Sequence, residues 1–208
     1  MNQDAFLDAV REENRTALSR LGSSKSLYAE TMGEMKETPV LAAAATAEQA
    51  AAETFAAWAD SEPDEEAAAL FREVATQEEA HYDAVLGRLG EHEPGDLPAI
   101  QDHLRDVEGT VERLGAFVGR TIAADKSKEQ LVGFFIGQAD PKGSQLFRDL
   151  RGDLDGQLEG ATDLLAARCE TEDDWERAQA AATAAIQAAY EEYTERLEGM
   201  GVNPKPVC

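Results

Sequence analysis

Apolar residues recur along most of this chain at helical spacing, and no stretch alternates in the way a strand does. The first such stretch, residues 4–20, places Phe6, Val10 and Ala17, with Leu21 just beyond, on one face. "GSSKSLYAETMGEMKETP" follows, and its Gly, Ser and Pro breakers read as a connection. Further helices are expected over about residues 40–59, 64–89, 99–106, 111–136, 144–169 and 172–197. Ser61 and Pro63 suit the break before the 64–89 helix, and "GQADPKGS" the break before 144. "ETEDDW" puts acids in the first turn of the last helix, where the helix dipole favours them. Two long helical hairpins with flanking helices predict an all-α antiparallel bundle. A single domain is expected over 1–208, with its core at about 40–168 and flanking helices at about 4–20 and 172–198.

The helix from 64 to 89 carries an anomaly. Its apolar stripe runs Phe71, Val74, Ala75 and then Val85, Leu86, Leu89, and the positions bridging the gap are Glu78 and His81. Three residues apart, they project from one helical face. A carboxylate and an imidazole at this spacing are one way a helix supplies two ligands to one metal. An unpaired charge on a core-facing stripe costs several kcal/mol, on the order of the figure for any buried ion, so a partner is expected. Folding back about residues 61–64 brings Glu48 level with Glu78, and Glu48 also lies on its helix's apolar face, with Leu41, Ala45, Ala52, Phe55 and Ala59. The alternative is a hydrogen-bonded Glu–His pair left over from a metal-binding ancestor, with Glu48 half-exposed.

The two hairpins read as copies. A shift of 76 residues aligns "LFRE" (70–73) with "LFRD" (146–149) and pairs Asp64 with Asp140, Trp58 with Phe134 and Leu89 with Leu165. At the same shift Glu48 meets Ala124, Glu78 meets Leu154 and His81 meets Gln157. Asp125, Glu129, Asp153 and Asp155 all miss those positions by a residue or more. The second copy is thus expected to keep the packing but not the ligands. Arg120, Lys126 and Lys128 form a small basic cluster there, read as salt-bridging to neighbouring acids, with anion binding as the alternative.

Composition narrows the setting. The formal net charge is −23, with six Lys and thirteen Arg. Nucleic acid and anionic membrane would both repel such a chain. Acid excess, scarce Lys and abundant Ala resemble a haloarchaeal cytoplasmic protein hydrated in molar salt. Disorder is rejected, because apolar residues make up 43% of the chain and recur with helical period. "MNQDAFLDAV" has neither the basic nor the apolar region of a signal peptide, and cytoplasm is expected. Cys169 and Cys208 stand alone, which excludes a cysteine-held metal site.

The order Glu48, Phe55, Trp58, Ala59, a short break, Phe71 and "ATQEEAH" (75–81) resembles the first helical hairpin of rubrerythrins, in the ferritin-like di-iron superfamily. The resemblance covers residues 41–89, is weak over 110–168 and is absent at the ends. It implies a ferritin-like four-helix bundle with extra terminal helices. It also implies Glu48 as a terminal or bridging carboxylate, Glu78 as the bridging carboxylate and His81 as the imidazole ligand. The chain departs from the family in the missing second half-site and in lacking the paired cysteines of an electron-transfer module.

Three function classes follow. One is a non-haem iron or manganese protein of peroxide, oxygen or iron handling, mononuclear rather than di-iron and, if an enzyme, an oxidoreductase. Another is a metal-free helical scaffold or interaction protein. The third is a homodimer sharing a site across a two-fold axis, which the second hairpin would obstruct. Neither substrate nor redox partner is legible.

Overall fold

A computed structural model describes residues 1–205 of the chain. Cys208 lies outside them. Among the described residues the elements are all helical: α1 (Gln3–Glu13), α2 (Arg15–Leu21), α3 (Ser24–Glu30), α4 (Glu37–Ser61), α5 (Glu65–Leu89), α6 (Ala99–Arg105), α7 (Thr110–Gly137), α8 (Pro141–Arg168) and α9 (Glu172–Gly199). The all-α expectation holds. Two details differ from the periodicity. The first stretch breaks at Asn14, whose amide donates to the Val10 carbonyl and to Thr183 on α9 instead of continuing one helix. The connection after Gly22 contains a short helix, α3, held by burial of Leu27 and Ala29.

Helix starts follow local chemistry. Asp64 accepts from the Glu66 and Ala67 amides to open α5, and Asp140 accepts from Lys142 and Gly143 to open α8, with Pro141 in its first turn. Thr171 and Asp174 form a reciprocal capping box at the head of α9. These two caps also cross-link the hairpins. Arg88, in the last turn of α5, grips Asp140 at 2.5 Å, and Arg168, in the last turn of α8, grips Asp64 at 2.7 Å. Asp64 and Asp140 correspond at the 76-residue shift, so the arrangement is pseudo-symmetric, as a duplicated hairpin predicts.

α4 packs on α5, α7 on α8, and α9 lies along the outside of α7. The buried apolar residues form two separate clusters. One holds Phe55, Trp58, Phe71 and Phe117, whose rings pack at centroid distances of 5.0–6.4 Å. The other holds Leu41, Val85, Leu131, Phe135 and Phe147. On each of α4, α5 and α7 the two sets are divided at the level of a charged residue. The α7–α9 seam is the tightest contact: a Cβ on Gly115 would stand 2.2 Å from the Ala178 carbonyl oxygen, and one on Gly119 2.2 Å from that of Ala182. Glycine at both positions lets the two backbones touch.

Substituting Gly119→Ala should force α9 off α7 and cost about 1–3 kcal/mol or more, since rigid backbone leaves no side chain to yield. Denaturant unfolding measures this; an unchanged midpoint would show that the seam is soft.

Candidate functional site

The three residues singled out in the sequence come together. Glu48 from α4 and Glu78 and His81 from α5 are buried, and each contributes one atom to a group whose members lie within 4.8 Å of one another. Glu48, Glu78, His81, Arg120, Lys128 and Gln157 are all 4% exposed or less. Glu53, on the same helix as Glu48, is exposed and pairs with Arg105 at 3.1 Å.

The second hairpin fills the other side of the group with cations. Arg120 Nη1 and Nη2 donate to Glu78 Oε1 and Oε2, both at 2.9 Å, a bidentate pair. Lys128 Nζ donates to Glu48 Oε1 at 2.6 Å. Gln157, the counterpart of His81, donates from Nε2 to Glu78 Oε1 at 2.9 Å. Arg120 and Lys128 therefore salt-bridge as expected of cations in an acidic chain, but across the bundle, whereas Lys126 pairs with its neighbours Asp125 and Glu129. Their positions explain how. Ala124, the counterpart of Glu48, lies four residues from each, so Arg120 and Lys128 reach inward from the turns above and below a small side chain.

His81 sits between carboxylates. Its Nε2 lies 2.9 Å from Asp153 Oδ2 on α8. Its Nδ1 lies 3.6 Å from Glu48 Oε2 and 3.7 Å from Glu78 Oε2, and among the described residues neither Nδ1 nor Glu48 Oε2 finds a hydrogen-bond partner. Burial alone would depress the imidazole pKa, but Glu48, Glu78 and Asp153 outweigh it and push it up to about 9. Burial likewise opposes ionisation of Glu78, yet Arg120, with His81 and Lys128, holds its carboxyl well below the usual range. Arg120 and protonated His81 thus face Glu78, with Lys128 on Glu48 and Asp153 on the far nitrogen of the ring. Asp153 has no counterpart in the expected ligand set. The signal for it was its place one residue before the Glu78-equivalent Leu154.

The fit of a metal follows from these contacts. A di-metal centre does not fit, because a guanidinium and an ammonium stand where its second set of ligands is needed. A single divalent ion fits the three facing atoms by spacing, once His81 gives up its proton. The Asp153–His81 contact is the kind that orients a metal-bound imidazole. Comparison with protein families, with curated proteins and with solved structures found no match to this chain.

Two outcomes test the layer. Arg120→Met takes the bidentate partner from buried Glu78, leaving it only Gln157 and His81, and should cost about 3–5 kcal/mol in urea unfolding, while Arg120→Met with Glu78→Leu should recover most of it. The pKa of His81 is raised on folding, so its contribution to stability is complete below about pH 6.5 and disappears as pH rises through about 9. His81→Gln should remove that slope from the pH–stability profile.

Proposed function

We propose that this chain is a ferritin-like bundle of rubrerythrin type in which a metal-independent ionic layer has replaced the di-iron centre, so that it acts by binding and not by redox catalysis. The observation that carries this reading is the bidentate Arg120–Glu78 pair, seconded by Lys128 on Glu48. A carboxylate with both oxygens engaged by one guanidinium is a poor ligand. Two fixed cations also perform the charge neutralisation that metal ions would otherwise supply. Ion pairs built from the chain itself fold without a cofactor and without metal uptake.

One observation favours a second reading. Glu48 Oε2 and His81 Nδ1 are buried without hydrogen bonds and face each other beside Glu78, and Asp153 orients the imidazole. On that reading a single Fe(II) or Mn(II) exchanges for the His81 proton, and the layer holds one mononuclear ion between Glu48, Glu78 and His81. Metal uptake would then release a proton and strengthen with pH.

Mass spectrometry on chain purified without chelator in molar salt separates the two. The first reading expects sub-stoichiometric metal and an unfolding temperature that neither EDTA nor anaerobic Fe(II) or Mn(II) changes. One equivalent of metal per chain, raising the unfolding temperature and lost in His81→Ala, would overturn it and establish the second.

A further inference from the structure

A cavity of about 540 Å³ lies between α3, α4, α6, α7 and α9, a volume typical of small-molecule sites. Its walls are largely apolar, with Ala43, Ala47, Ala124, Ile100 and Leu131 among them. Ala47 is exposed although it sits next to the buried Glu48, because its side chain borders this space. The floor reaches the ionic layer at Glu48, Arg120 and Lys128, whose charges are already matched there. On the opposite wall Glu192 pairs with Arg196. Two acids of the lining, Glu30 and Asp96, have no ion-pair partner among the described residues.

Glu30 is the more telling of the two. It ends α3, and among the described residues only its Oε1 is engaged, accepting from Ser26 Oγ at 3.1 Å and Ser127 Oγ at 3.5 Å. Arg196 donates to its backbone carbonyl, not to its carboxylate. Burial pushes the carboxyl up to about 7, against the lowering effects of Ser26 and Arg196. Half-buried at the edge of the space, Glu30 thus keeps one carboxylate oxygen with no donor among the described residues, while the nearby Arg196 is spent on its backbone carbonyl and on Glu192.

We propose that this cavity binds a small organic ammonium ion, with its apolar body against the alanine walls and an N–H donated to Glu30 Oε2. A carboxylate ligand is disfavoured. It would meet Glu30, Asp96, Glu48 and Glu192 on the lining, and would have to take Lys128 or Arg120 from partners they already have. The charged groups facing the space from the packed elements are Glu48 on α4, Asp96 before α6, Arg120 and Lys128 on α7, and Glu192 and Arg196 on α9. The inference does not depend on whether a metal enters the ionic layer, because Glu30 lies outside the Glu48–Glu78–His81 group.

Calorimetric titration of the full chain in molar KCl, with octylammonium, octanoate and octan-1-ol as probes of equal length, tests it. Octylammonium should bind once per chain, about tenfold tighter than either other probe above pH 7. Its advantage should shrink below about pH 7, as Glu30 takes up its proton. Glu30→Gln should reduce octylammonium to the affinity of octanol. Ala47→Leu, which fills the space from an exposed position, should abolish binding with the unfolding midpoint unchanged. Octanoate binding tightest, octanol binding as well as the amine, a preference that survives Glu30→Gln, binding that survives Ala47→Leu, or no binding at all would each overturn the proposal.

Discussion

The Arg120 guanidinium meets the Glu78 carboxylate with two nitrogens on two oxygens, out of reach of solvent, and the packing of the central helices is arranged around that contact. Burying a charge costs several kcal/mol per ion, on the order of what a whole domain has to spare, unless its partner is held in good geometry. Here the geometry is supplied from several helices at once. α5 presents Glu78 and His81, α4 presents Glu48, α7 presents Arg120 and Lys128, and α8 completes the set with Asp153 and Gln157. Each group is positioned by packing it does not itself provide, so the layer and the fold depend on each other.

The layer also divides the interior. Aromatic packing around Phe55 and Phe71 lies on one side of it and the cluster around Leu41 and Phe147 on the other. Long helices with uniformly apolar faces can slide past one another by a turn at little cost, because one alanine or leucine replaces another. A slide of one turn here would strand five charges in hydrocarbon. We therefore read the layer as a register key, which trades some stability for a single alignment of the helices.

Much of this was legible in the sequence. The helices follow from apolar period and breakers, and Asp64, Asp140 and Thr171 announce the starts of the later ones. Glu48, Glu78 and His81 were marked because polar groups interrupted otherwise apolar stripes. What completes the layer was harder to read. Arg120 and Lys128 reach it through long side chains from the turns on either side of Ala124, so a residue-for-residue alignment of the two hairpins passes over them. The sign was available in Ala124 flanked by a cation four residues to either side. α3 carried no such sign, since its few apolar residues are set among Gly, Ser and Met.

The crossed pairing of Arg88 with Asp140 and Arg168 with Asp64 carries a consequence for motion. Each hairpin's turn is held by the closing residues of the other hairpin, at opposite ends of the molecule. Neither hairpin can lift away without breaking an ion pair to a helix-capping aspartate at each end. A fluctuation that separates the hairpins along α5 and α8 has to break both pairs, one at each end of these helices.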